Sequence, residues 1–286
     1  MIGQNLIPAL LALAYWLAYR ARARVLAGEG RPVARWRRAA FAAGLVVLVA
    51  ALSSPVDTLS DRLLVAHMLE HLMIGDLAAL LIVLGLTGPL IAPLLRVRAI
   101  GRLRVLAHPA VAGPLWLLDF YAWHLPVLYQ AALRDPWVHA LQHSCFLLFG
   151  AAMWMALLGP LPKPRWFRSS ARLLYIVGVR LAGAVLGNVL LWSGTVFYPY
   201  YRGRYGIGAQ QDQNLAGALM MVEGSLLTLG LFCWLFLTVA RQSEERQELL
   251  DYASAHSLQL DPDRAERAVA AGRGAELHAR LRERSG

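Results

Sequence analysis

The stretch from Leu64 to Leu84 constrains the fold of this chain more than any other. A helix that crosses a bilayer needs about 20 predominantly apolar residues, and this stretch supplies them. It nevertheless carries four ionisable side chains, those of His67, Glu70, His71 and Asp76. A charged side chain at membrane depth costs about 2.5–3.5 kcal/mol or more, so such a helix turns its ionisable face inward. His67 and His71 lie one turn apart on one face, which predicts a polar site inside a helical bundle.

The composition points to a membrane protein. Hydrophobic residues make up 58% of the chain and charged residues 16%, against about 45–50% and about 25% in soluble domains. A net charge of +10 would indicate nucleic-acid binding in a soluble protein. Here the arginines concentrate in the connections between apolar stretches, so membrane topology accounts for them and no nucleic-acid partner is expected.

Seven apolar stretches predict an all-α integral membrane protein with about seven transmembrane helices. They cover approximately residues 5–19, 39–52, 64–86, 109–125, 137–158, 172–192 and 213–239. Basic residues concentrate in the first, third and fifth connections, and the fifth holds Lys163, Arg165 and Arg168. The positive-inside rule makes these connections cytoplasmic, which leaves the N-terminus outside and the C-terminus in the cytoplasm.

The composition changes after Ala240. Residues 241–286 mix arginine with glutamate and aspartate at helical spacing, a pattern typical of solvated helices. We therefore predict a seven-helix transmembrane domain at residues 1–240 and a charged cytoplasmic tail at 241–286. Such a chain is expected to be a multi-pass protein of the inner (plasma) membrane.

Histidines gather at the predicted outer ends of three helices. Two pairs have one-turn spacing and a fifth histidine closes the fourth span; these residues are His67, His71, His124, His139 and His143. Loop charges alone set the orientation, so the shared depth of the histidines is an independent signal. Imidazole suits copper, zinc, iron and nickel, and the sequence therefore predicts a metal site on the extracytoplasmic side.

Four further residues are candidates for supporting roles. The Met68 thioether would favour Cu(I) over zinc. Asp119 lies about 7.5 Å inward from His124 along an ideal helix and could orient an imidazole. Asp212 and Gln213 open the seventh span at the same level and could hydrogen-bond imidazoles or ligate weakly.

A deeper polar layer is predicted at Asp76, Arg180 and Glu223. Unpaired charges at such depth are very costly, so we expect Arg180 to pair with one or both carboxylates. The layer is interpreted either as structural pairing or as a proton or ion path.

Two enzyme classes are excluded by motif. The zincin motif places its glutamate directly after the first histidine, whereas Glu70 directly precedes the second. The chain has no phosphate-binding GxxxxGK[ST] loop, which leaves an ATP-driven pump unsupported. No enzymatic activity is expected.

At four segments the chain resembles the membrane-integral CtaG-type cytochrome c oxidase assembly factors. They are Ala66–Leu72, Trp123–Tyr129, His139–His143 with Phe146, and Asp212–Gly217, in family order within a resemblance that covers about residues 5–240. The resemblance implies a protein needed to make a haem–copper oxidase, handling copper for its active-site centre. The partners it implies are oxidase subunits, an extracytoplasmic copper carrier and the lipid bilayer.

Three other functions stay open from the sequence. Histidines on two helices could be axial ligands of a haem in a membrane redox protein. Asp76, Arg180 and Glu223 could form the path of a copper or proton transporter. A purely structural scaffold for oxidase subunits is the third alternative.

Overall fold

The computed structural model describes residues 2–53, 55–167, 169–270 and 272–285, so Arg168 lies outside the described residues. Within these ranges the named elements are helices and none is a strand, which confirms the all-α prediction. The chain divides into two compact units, Met1–Leu226 and Leu227–Gly286. The domain boundary between residues 240 and 241 stays a prediction.

Twelve α-helices begin within the described part of the first unit. They are α1 (Ile2–Gly28), α2 (Arg35–Ala51), α3 (Val56–Ser60), α4 (Leu64–Leu72), α5 (Ala79–Gly85), α6 (Gly88–Arg96), α7 (Arg98–Leu103), α8 (Pro109–His124), α9 (Pro126–Arg134), α10 (Pro136–Leu157), α11 (Ser169–Trp192) and α12 (Ala209–Ala255). A π-helical segment, Met73–Ala78, joins α4 to α5, and a 3-10 turn, Arg104–Ala107, precedes α8.

Among the described residues, four helices are long and apolar enough to cross a membrane. They are Leu64–Gly85, Pro136–Leu157, Ser170–Trp192 and Ala209–Ala255. They correspond to the third, fifth, sixth and seventh predicted spans. The other three predicted spans fall on α1, α2 and α8, of which α2 has 17 residues and α8 has 16. Their passage through a bilayer stays a prediction.

The outward faces of these helices are apolar. Val46, Leu118 and Leu174 are exposed by 67%, 67% and 73%. Soluble monomers rarely present extended apolar surface, because it drives association in water. Such faces suit a lipid environment, in which the helices satisfy their own backbone hydrogen bonds.

Close backbone packing brings α10 against the π-helical segment. A Cβ atom on Gly150 would overlap the carbonyl oxygen of Gly75. Only glycine permits this approach, since any side chain would separate the two backbones. The contact holds α10 beside the Leu64–Gly85 span and so sets the distance between the histidines of the two helices.

The second unit contains the end of α12 and two short helices, α13 (Pro262–Ala270) and α14 (Gly274–Ser285). Buried residues from all three form a small apolar core, which includes Leu249, Val269, Leu277 and Leu281. The helix continues to Ala255, well beyond the predicted end of the seventh span at residue 239.

Candidate metal centre

Four of the five predicted histidines come together. One ligand atom from each of His67, His71, His139 and His143 lies within 4.8 Å of the others. Ring centroids are 4.3 Å apart for His67 and His71, and 5.0 Å apart for His67 and His139. We call this group the four-histidine cluster. Its two pairs come from α4 and α10, each pair with the one-turn spacing that presents both rings to one side.

The start of α10 is fixed close to its histidines. Pro136 occupies the first turn, where its missing N–H costs nothing. The Asp135 carboxylate accepts hydrogen bonds from the backbone N–H groups of Trp137 at 2.8 Å and Val138 at 3.4 Å. This cap satisfies free backbone donors of the first turn and fixes the helix register in which His139 and His143 face α4.

A chain of hydrogen bonds assigns the tautomers of His67 and His71. Burial raises the pKa of the Tyr201 phenol well above its usual range, so this hydroxyl keeps its proton. It donates that proton to the Ser60 carbonyl oxygen at 2.9 Å and therefore accepts from His67 Nδ1 at 2.8 Å. The lone pair of His67 then lies on Nε2, where His71 Nε2 donates to it at 2.8 Å.

His124 lies beside this cluster rather than in it. Its ring centroid is 6.4 Å from that of His71. Its Nδ1 donates to the Phe120 carbonyl oxygen at 2.7 Å, which leaves the lone pair on Nε2. Its own carbonyl oxygen accepts from the Tyr198 hydroxyl at 2.8 Å, so the end of α8 is held from both sides.

Several buried polar atoms around the cluster have no hydrogen-bond partner among the described residues. They are both carboxylate oxygens of Glu70, the Nε2 atoms of His124, His139 and His143, Nδ1 of His71, and both amide atoms of Gln142. Buried polar atoms are normally paired, because leaving one unpaired costs about 1–3 kcal/mol. A group of unpaired imidazole nitrogens fits a metal ion, which would take their lone pairs.

Two of these residues were missed by the sequence reasoning. Glu70 is fully buried, and its Oε1 lies 3.7 Å from His143 Nε2. Its position three residues after His67 places both side chains on one helix face, so this spacing could have assigned Glu70 to the site. Gln142 is also buried, and its position between His139 and His143 gives no signal of its own.

The family of the chain follows from comparison with known proteins. Residues 13–242 match the cytochrome c oxidase caa3 assembly factors, the Caa3_CtaG family. The chain belongs to this family. The match includes every residue of the four-histidine cluster, so the cluster is part of the region that the Caa3_CtaG proteins share.

The curated relatives of this Caa3_CtaG protein are mycobacterial. It is 26% identical to an uncharacterized protein of Mycobacterium leprae over 259 residues, 83% of this chain and 38% of the relative. An uncharacterized protein of Mycobacterium bovis is 26% identical over 269 residues, 85% of this chain and 40% of the relative. The chain thus spans about two fifths of the length of these relatives. No solved structure is significantly similar to it.

In this Caa3_CtaG protein, Asp212 and Gln213 contact backbone and not imidazoles, which corrects the sequence-based expectation. The Asp212 carboxylate accepts from Leu64 N at 2.7 Å and Val65 N at 3.0 Å and so caps α4. Gln213 Oε1 accepts from Phe197 N at 2.8 Å, and its Nε2 donates to Thr195 O at 2.9 Å. Both are fully buried, and Asp212 pairs with backbone N–H groups at the start of a helix, which have no acceptor within that helix.

Asp119 does not hold the His124 ring, and Met68 lies outside the four-histidine cluster. His124 Nδ1, which Asp119 could have oriented, is bound by the Phe120 carbonyl oxygen instead. That carbonyl belongs to the preceding turn of the same helix and is therefore always within reach. Met68 is 1% exposed and packs with Leu64 and Tyr129, on the side of α4 next to a small cavity.

The deeper polar layer of the Caa3_CtaG protein is a connected ion-pair group. Arg180 donates to both carboxylate oxygens of Asp76, at 3.2 Å and 2.8 Å. Glu223 Oε2 lies 3.8 Å from Arg180 Nη1, and the guanidinium lies 5.1 Å from the Trp154 ring centroid. The expected pairing is present, and it joins the π-helical segment to α11 and α12.

Proposed function

We propose that this protein binds copper at the four-histidine cluster and supports copper insertion into a haem–copper oxidase. The observation that carries the proposal is the set of buried, unpaired imidazole nitrogens contributed by two helices. Membership of a cytochrome c oxidase assembly family supports an oxidase as the protein that receives the copper, and a membrane as the place where this happens. Copper is cargo here: it is bound and passed on by ligand exchange, without a covalent catalytic step.

The proposed arrangement is a multi-pass protein of the plasma membrane with seven spans. α1, α2 and α8 would complete the bundle together with the four long apolar helices. The basic connections lie in the cytoplasm, so the N-terminus and the four-histidine cluster lie on the outer side. An extracytoplasmic copper carrier could then deliver the ion without crossing the bilayer. Reporter fusions in the 193–208 loop and after residue 286 test this orientation.

Three histidines of the cluster each present one nitrogen to the ion in this proposal. His67 presents Nε2, because Tyr201 holds its Nδ1. His139 and His143 present their unpaired Nε2 atoms from α10. Glu70 supplies a negative charge next to them and offsets part of the charge of a bound cation, since an uncompensated buried charge is very costly.

Replacement of single cluster histidines tests the proposal. His67→Ala or His143→Ala should lower copper affinity at least tenfold, since each removes one ligand from the cluster. Both should leave membrane insertion intact, since the apolar outer faces of the helices are unchanged. The measurement is copper bound per chain in purified protein, with competition by a chelator. His108→Ala is the matched control, because His108 lies before α8 and contacts Trp166 instead of the cluster. Full copper occupancy in both cluster variants would reject the site.

Two rival functions are separable by measurement. The cavity next to His71 and His124 has a volume of about 30 Å³, whereas pockets for small organic ligands measure about 300–1,000 Å³. A haem is therefore not proposed, and a strong Soret band in the absorption spectrum would contradict this choice. Transport is supported only by the Asp76, Arg180 and Glu223 group, and flux into proteoliposomes would establish it.

A further inference from the structure

A small cavity lies on the inner side of the four-histidine cluster. Its volume is about 30 Å³, enough for one ion or a water molecule. The lining residues are Met68, His71, Leu72, Gly75, Asp76, Trp116, Phe120, His124, Phe146 and Met220. We call this cavity the inner chamber. It reaches from the cluster to the ion-paired layer and shares only His71 with the cluster.

Two imidazole lone pairs are available to the inner chamber. His71 donates through Nε2 to His67, so its lone pair lies on Nδ1, at the other edge of the ring. His124 donates through Nδ1 to the Phe120 carbonyl oxygen, so its lone pair lies on Nε2. Both nitrogens are buried and without a hydrogen-bond partner among the described residues. The two ring centroids are 6.4 Å apart. Metal–nitrogen bonds of about 2.0–2.1 Å span this separation when the two rings lie on nearly opposite sides of one ion.

Two thioethers complete the donor set. Met68 is 1% exposed and Met220 is 6% exposed, and both line the inner chamber with three aromatic residues. Thioether sulfur is a soft ligand that selects Cu(I). The remaining polar residue, Asp76, is held by two hydrogen bonds from Arg180.

The charge of the donor set favours a monovalent ion. Two imidazoles and two thioethers are neutral. Arg180 pairs with the Asp76 carboxylate at 2.8 Å and lies 3.8 Å from that of Glu223, so the neighbouring layer carries at most one net negative charge. That charge can offset a monovalent ion, whereas a divalent ion would leave a positive charge uncompensated among aromatic side chains, which is costly.

We propose that the inner chamber is a second, soft-metal site that binds Cu(I) through His71, His124, Met68 and Met220. This inference rests on the proposed copper function and adds to it a path for the ion, from the four-histidine cluster to the inner chamber. His71 is the shared residue: it offers Nε2 to the four-histidine cluster or Nδ1 to the inner chamber. Inward movement of an ion therefore requires His71 to release its proton from Nδ1 and to take one up at Nε2, where it forms the hydrogen bond to His67 that this structure contains.

Copper stoichiometry and ligand type test the second site. Anaerobic titration of the purified protein with Cu(I), against a competing chelator, should give two ions per chain. The Met68→Leu/Met220→Leu double variant should bind one ion and lose the copper–sulfur scattering that X-ray absorption detects in the unsubstituted protein. Methionine to leucine conserves volume and typically costs less than about 1.5 kcal/mol. His124→Gln is a second route, with the same expected loss of one ion.

Met153→Leu is the matched control. Met153 is 1% exposed, as Met68 is, but does not line the inner chamber. The Met153→Leu variant should keep both ions. One ion per chain without sulfur ligands, in the unsubstituted protein and the double variant alike, would overturn the second site and leave the proposed function standing. No bound copper in the unsubstituted protein would overturn both, and equal losses in control and double variant would also overturn the second site.

Discussion

At the scale of single residues, the hydroxyl of Tyr201 decides which nitrogen of His67 faces the cluster. It comes from the loop after α11, yet it lies between the Ser60 carbonyl and the imidazole and is 3% exposed. Groups that orient a ligand imidazole fix its tautomer and raise its basicity. Tyr201, in this loop, is thus a positioning residue for His67 on α4.

Tyr201→Phe removes only this hydroxyl. We expect copper affinity to fall about 10–100-fold, the usual cost of losing such a partner, because His67 can then adopt either tautomer. Tyr200→Phe, at the exposed neighbour, should leave affinity unchanged. Chelator competition measures both variants. Equal affinity in the two would show that the hydroxyl has no influence on the site.

The sequence predicted the histidines but not the groups that hold them. One-turn spacing and common depth are visible in the chain, so the prediction that His67, His71, His139 and His143 lie close together needs no coordinates. The partners of Asp212 and Gln213 are backbone groups of other segments, and backbone donors have no sequence signature. The contact of Tyr201 with His67 was not foreseen either, because it joins a loop to a helix 134 residues away in the chain.

At the scale of elements, the approach of α10 to the π-helical segment is the critical packing contact. The Leu64–Gly85 span and α10 meet where Gly150 faces Gly75, one to two helical turns from their nearest histidines. A side chain there would separate the backbones and pull the two histidine pairs apart. Glycine at this position therefore serves the site as well as the fold.

Gly150→Ala should destabilise the protein by about 1–3 kcal/mol, the range for overpacked sites. Gly178→Ala is the matched control in α11, since a Cβ there meets nothing within 4 Å. It should be neutral or stabilising by up to about 1 kcal/mol, because alanine is the better helix former. Thermal unfolding in detergent measures both. A loss in Gly178→Ala as large as in Gly150→Ala would contradict the packing argument.

At the scale of the whole molecule, three largely buried charged residues connect three segments of the chain, and the segments of Asp76 and Arg180 pair residues 104 positions apart. Asp76, Arg180 and Glu223 come from the π-helical segment, α11 and α12. Breaking a buried ion pair by removing one partner costs about 3–5 kcal/mol, whereas removing all its charges costs far less. Comparing the loss of one charge with the loss of all three therefore separates a structural role of this layer from an ion path.

Arg180→Met should lower the unfolding temperature strongly, because it leaves Asp76 and Glu223 without their counter-charge. The triple variant Arg180→Met/Asp76→Asn/Glu223→Gln should recover most of the loss and still support oxidase assembly. Thermal unfolding and oxidase activity in a complemented strain are the measurements. A triple variant that is stable but inactive in assembly would assign the layer to an ion path.

The number of spans was the least predictable property of the whole chain. α2 and α8 are short, and their apolar stretches run into polar ends, so hydropathy alone sets no firm limits. The length of α12 was also missed, since the charged residues after Ala240 continue the helix to Ala255. Hydropathy falls after Ala240, but the arginine and glutamate residues there are good helix formers, so the helix does not end where the hydropathy falls.

The π-helical turn at Met73–Ala78 restricts how this gene can vary in length. Its wider turn takes up one residue more than an α-helical turn does, and so the helix faces before and after it stay in register. A further insertion or deletion in the span would rotate one half against the other by about 100°. The four-histidine cluster would then keep its orientation while the second half of the span turned its packing surface away from its neighbours.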